Sequence, residues 1–173
     1  IASSPAVSSG AIGGAVTNVV FSIAASDRVA GHTGVSATFS FTPSAGGAGP
    51  SLVTLSYPPG FFATSATPTA KVSTAGATLT PGAPGNTLIV LTATGSALAA
   101  VTAVTVTLVG CTMGAARPAA DSVTVRTNTD PIASSPALSS GEIIVNVVVN
   151  TLSGIQFGDF ALASCVLKCA HSC

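Results

Sequence analysis

The sequence predicts an all-β protein, a β-sandwich of seven to eight short strands followed by an extra C-terminal strand and a cysteine-rich tail. Three observations carry that prediction. Between Ala15 and Thr129, short apolar alternations of period two are broken by glycine and proline clusters, the pattern of half-buried strands joined by tight turns. No long helical periodicity interrupts them. Ser and Thr make up about a quarter of the chain and alternate with apolar residues, which suits strands with one face inward and one outward.

The elements follow in order. A first strand at 16–25 puts Val19, Phe21 and Ile23 on one face. A second at 34–42 is the clearest alternation in the chain. Its Val35, Ala37, Phe39 and Phe41 face the core, and Ser36, Thr38, Ser40 and Thr42 face outward. The glycine-rich 43–49 is a turn and 51–57 a third strand. Pro58-Pro59-Gly60 ends that strand because neither proline can donate to a ladder. Phe61 and Phe62 then plug the end of the core. Weaker strands at 69–74 and 77–80 are followed by stronger ones at 86–94, 101–110 and 121–129.

Composition narrows the partners. Asp, Glu, Lys and Arg amount to 6% of the 173 residues and cancel to zero net charge, far below the roughly 25% of a typical soluble domain. There is no basic stripe to neutralise phosphates, so nucleic acid is not an expected partner. The mean hydropathy of +0.71 comes from Ala, Val and Gly rather than from any run long enough to span a bilayer. A neutral, hydroxylated surface stays dispersed when neighbouring subunits or O-linked glycans cover it. No Asn-x-Ser/Thr sequon occurs. The chain begins at Ile1 without a charged signal region, so it reads as a processed product or part of something longer. With an even number of cysteines, four, it is expected to be extracellular or at the cell surface.

A repeat organises the ends. Residues 1–12, IASSPAVSSGAI, return as 132–143, IASSPALSSGEI, identical at ten of twelve positions. The expected domains are a linker or docking segment 1–14, a sandwich 15–130, a linker 131–142 that repeats the first, and a strand with a cysteine tail at 143–173. Setting Asn18 over Asn146 aligns 16–26 with 144–154, so the C-terminal strand is a second version of the first. An exposed Val/Ile strand with almost no charge needs a partner. Either it folds back onto its own sheet, or Ile143, Ile144, Val145, Val147, Val148, Val149 and Leu152 form a subunit-interface strand given to a neighbour. A linker of twelve residues (131–142) reaches roughly 35 Å at about 3.1 Å per residue, enough for donation. Burying six of those side chains would contribute on the order of 10 kcal/mol before ordering costs.

Cys165, Cys169 and Cys173 recur every fourth residue beside His171, a set that could ligate zinc. The usual C-x-x-C spacing is absent, so disulfides among Cys111, Cys165, Cys169 and Cys173 are the favoured reading, with their connectivity open. Asp27, Asp121, Asp130, Glu142 and Asp159 show no paired spacing, and His32 has no nucleophile partner in sequence. No enzymatic activity and no cofactor are therefore expected. Asp130, beside the linker, could join an interdomain calcium site but is a single carboxylate.

FSFTPSAGGAGPSLVTLSYPPGF (39–61) and VTVTLVGCTMGAARPAADSVTVRTNTD (104–130) resemble the immunoglobulin-like tandem repeats of very large secreted and cell-surface proteins of algae and other protists. They also resemble subunits of extracellular fibrils built from such domains. The resemblance spans about 34–130 and implies an immunoglobulin-like sandwich with a structural role and no catalytic residues. The function expected is a structural subunit of an extracellular filament, a homopolymer growing head to tail by strand donation. The alternative is a carbohydrate- or ice-binding module using a hydroxyl-rich face with Thr102, Thr105, Thr107 and Thr124.

Overall fold

The computed structural model describes residues 14–44 and 49–145. The strands in chain order are β1 Thr17–Ile23, β2 Val35–Thr42, β3 Leu52–Ser56, β4 Thr69–Val72, β5 Ala77–Pro81, β6 Leu88–Gly95, β7 Val104–Cys111, β8 Asp121–Thr127 and β9 Leu138–Ser139. They form two antiparallel sheets, ordered β1-β2-β7-β4 and β5-β6-β3-β8-β9, which pack as a β-sandwich. The only helical element among the described residues is a single 3-10 turn at Ala25–Asp27. None of them forms a helix long and apolar enough to cross a membrane.

The period-two reading of β2 is met residue by residue. Val35, Ala37, Phe39 and Phe41 are buried, and the hydroxyl residues between them face outward. Facing strands supply Val104, Val106 and Leu108 from β7, Val53 and Leu55 from β3, Ile89 and Leu91 from β6, and Val123 and Val125 from β8. Each such side chain contributes about 1.5–3 kcal/mol by leaving water. Phe61 and Phe62 close one end of this core, as expected, with ring centroids 4.8 Å apart in an edge-to-face arrangement. Tyr57 stands against Phe62 at 5.1 Å.

β1 is the least buried of the long strands. Asn18, Val20 and Ser22 are exposed, and Val19 and Phe21 only half-buried. It pairs with β2 alone, with a register shift between Thr17 and Val20 where Asn18 takes a positive φ of 52°. A bulge of that kind twists an edge strand and loosens its hold.

The sandwich has two poles. β1 starts opposite Thr42 and ends opposite Ala37, so the chain enters where β2 finishes and travels toward where β2 begins. The eight residues of β2 separate the poles by about 26 Å.

Residues 131–144, read from sequence as a linker leading into a donated strand, run along this same sandwich from one pole to the other. β9 pairs with β8, and backbone bonds on either side of it extend the attachment.

Candidate subunit interface

At the N-terminal pole the site is built around Asp130. This carboxylate is 1% exposed. It accepts hydrogen bonds from the Ser44 amide at 3.2 Å, from the Ser44 hydroxyl, and from the Thr127 hydroxyl at 3.3 Å. The Asp130 amide in turn donates to Thr127 Oγ1 at 2.9 Å. Gly14 passes so close that a Cβ there would sit 2.9 Å from Ser44 Oγ and 3.0 Å from Asp130 Oδ1. The turn after β2 and the end of β8 are thus tied at one buried carboxyl group, and the start of the domain packs against it at Gly14. Its described partners are all hydrogen-bond donors of the same domain, a structural role for the carboxylate. Among the described residues no group of three His, Cys, Asp or Glu could hold a metal ion.

From this knot the chain returns toward the other pole as an edge strap. Ala15 bridges Ile132 in parallel. Ser134 is buried, its amide donating to Val125 O at 3.0 Å and its hydroxyl accepting from the Val125 amide at 3.0 Å. Ser140 repeats the device one strand length on: its amide donates to Ala120 O at 2.9 Å, and its hydroxyl accepts from the Ala120 amide at 3.2 Å. Both serines therefore satisfy two backbone groups of β8 and its approach that would otherwise be open at a sheet edge. Gly141 takes a positive φ of 72°, the left-handed region that favours glycine.

At the C-terminal pole, Ile143 exchanges two backbone hydrogen bonds of 2.9 Å with Arg117. Its side chain is 1% exposed and belongs to the core. Ile144 donates to Arg28 O at 3.0 Å, and its carbonyl accepts from Ala30 at 2.8 Å. The side chains of Ile144 and Val145 are 49% and 59% exposed.

These placements correct the interface strand at its beginning. Ile143 is a core residue of its own sandwich and cannot serve a neighbour without leaving a cavity. Ile144 and Val145 point outward at the pole. Val147, Val148, Val149 and Leu152 lie outside the described residues, as do Cys165, Cys169, His171 and Cys173.

Cys111, at the end of β7, is 1% exposed and a free thiol among the described residues. Burial pushes it up to about 11. Burial, and secondarily a charge on Cys111, also push the Tyr57 phenol upward; its hydroxyl donates to Gly85 O at 3.0 Å. Both groups are held protonated in the fold and ionise more readily once unfolded. The contribution of these two groups to stability is therefore constant below about pH 9 and declines as pH rises toward 11. Urea midpoints measured across that window are expected to fall, and Cys111→Ala should flatten part of the fall. Iodoacetamide at neutral pH should leave Cys111 unmodified in the folded protein and label it after denaturation, as read by peptide mass spectrometry.

The hydroxyl residues of the alternative reading do not form one face. Thr105 and Thr107 stand on the outside of the β1-β2-β7-β4 sheet, where Thr107 meets Thr38 at 3.1 Å. Thr124 belongs to β8, in the opposite sheet, and Thr102 precedes β7 in a turn.

Sequence reasoning missed Asp130 as a knot, Ser44 as its donor, and the paired roles of Ser134 and Ser140. The available signal was the repeat itself, which preserves serines, a glycine and an isoleucine at fixed spacing in a segment where a linker would make no such demands. Compared with family models, curated proteins and solved structures, the chain matches none.

Proposed function

We propose that this protein is a structural subunit of an extracellular filament, in which immunoglobulin-like sandwiches join head to tail through a strand given by each to the next. The observation that carries this reading concerns where a second β1-like strand can go. The place its sequence fits, beside β2, is occupied by the chain's own β1, and the edge next to β8 is closed by the strap 132–144. The chain reaches Val145 at the pole opposite the one where it entered. A strand starting there enters another copy by displacing that copy's β1, the least buried of the long strands, and this exchange gives a heterologous contact, which repeats into an open chain.

The sheet order supports the immunoglobulin-like part of the reading. β1, β2, β7 and β4 correspond to strands A, B, E and D, and β3, β8 and β9 to C, F and G. The chain departs from that plan by visiting β4 before β5 and β6. The low charge and the Ser/Thr-rich outer faces support an exterior covered by neighbours and O-linked glycans.

In the alignment, Val147 falls on Val19 and Val149 on Phe21, the two half-buried positions of β1. With a third apolar contact, the gross gain is on the order of 5 kcal/mol, about half the figure for six buried side chains. Assembly is accordingly expected to be reversible on dilution. It should also persist in molar NaCl, because apolar burial and backbone pairing are little screened; sedimentation at low and high salt checks this. The functional test is the full chain carrying Val147→Asp and Val149→Asp. It should sediment as single subunits at concentrations where the wild type forms polymers, whereas polymers formed equally well by both would overturn the reading.

A further inference from the structure

We infer that the sequence of residues 1–12, which lie outside the described residues, is made to dock in the slot beside the β8-type edge of a second sandwich of this same fold. The segment 132–143 shows what this sequence does when it is seated. Its work is done by Ser134 and Ser140, which bond Val125 and Ala120 of the β8 edge, by Gly141, which takes a positive φ of 72°, and by Ile143, which fills the core opposite Arg117. Every one of these has its identical counterpart in the first copy: Ser3, Ser9, Gly10 and Ile12.

The two copies differ only where the seat is permissive. Val7 stands for Leu138, whose side chain is partly buried, and Ala11 stands for Glu142, whose side chain is exposed. A spacer between domains has no reason to keep a core isoleucine, two edge-bonding serines and a positive-φ glycine in register. A strand for the same slot needs all four.

The partner is thereby specified chemically. It must offer the open backbone of a β8-type edge, an Arg117-type bridge and an apolar hole the size of isoleucine, which describes another sandwich of this fold that is not closed by its own strand. This inference stands on the repeat and on the contacts of the strap, and does not depend on polymers forming through Val147 and Val149.

Two full-chain experiments test it. In the first, Leu138→Val and Glu142→Ala together rewrite the second copy as the first. The thermal midpoint should stay within about 3 °C of wild type, and a larger fall overturns the inference. In the second, Ile143→Asp expels the chain's own strap, and a synthetic peptide of residues 1–12 is added. The peptide should raise the variant's thermal midpoint in a concentration-dependent way, while the same peptide carrying Ile12→Asp should not. No rise with the unaltered peptide, or equal rises with both, overturns the inference. If the aspartate variant does not fold, the copy exchange still decides the matter. Failure here with intact wild-type polymers would remove the role of 1–12 and leave the filament reading in place.

Discussion

Ile143→Asp is expected to lower stability by about 4 kcal/mol or more, the largest effect of any single substitution in the strap. The wild-type side chain is 1% exposed and packs in the core at the C-terminal pole. Removing it forfeits burial and leaves a cavity, which costs about 2–4 kcal/mol for isoleucine in a close-packed site. The aspartate adds the desolvation of a charge, so the fold does better to release the strap. That release breaks the two bonds to Arg117 and uncovers the β8 edge held by Ser134 and Ser140. Ile144→Asp is the matched control: its side chain is 49% exposed, so the loss should be below about 1 kcal/mol. Urea denaturation of both variants separates a strap that belongs to the fold from one that merely lies on it. Equal, small losses would show that residues up to Ile143 are not part of the domain.

Asp130→Ala is expected to cost about 3 kcal/mol. The substitution removes the acceptor for the Ser44 amide, the Ser44 hydroxyl and the Thr127 hydroxyl, in a site where water has little access. Buried donors left without partners cost about 1–3 kcal/mol each, and some of that is recovered by local opening. Asp130→Asn keeps the shape and one carbonyl acceptor, so its loss should be smaller, about 1–2 kcal/mol. Because the knot joins the ends of β2 and β8, the effect should be local as well as global. Amide exchange should accelerate first at Ser44 and Thr127, before the core of β2 and β7. Uniform acceleration across the domain would contradict a pole-specific knot.

The parts of this fold that could be read in advance are those written in local periodicity. Phe39 and Phe41 declare β2 because alternation of bulky apolar and hydroxyl residues has only one physical use. Phe61 and Phe62 after a Pro-Pro-Gly stop declare a plugged end. The strap could not be read this way. ASSPALSSG has no β-branched residue, a proline and a glycine, and looks like a connector; it holds the sheet through serine hydroxyls and backbone groups, which leave no hydropathy signal. Asp130 was equally opaque, because its meaning depends on Ser44, 86 residues earlier in the chain. The hydroxyl face failed for a related reason. Alternation tells which side of a strand faces out, but not which sheet the strand joins, and so it grouped Thr124 with Thr105 and Thr107 although they lie on opposite sheets.

Electron micrographs of the full-length protein at high concentration give the most direct test of head-to-tail assembly. Linear fibres with an axial repeat on the order of 35 Å, one β2 length plus the loops at each pole, are the expected result. Closed rings, amorphous aggregates or isolated particles at every concentration would contradict it.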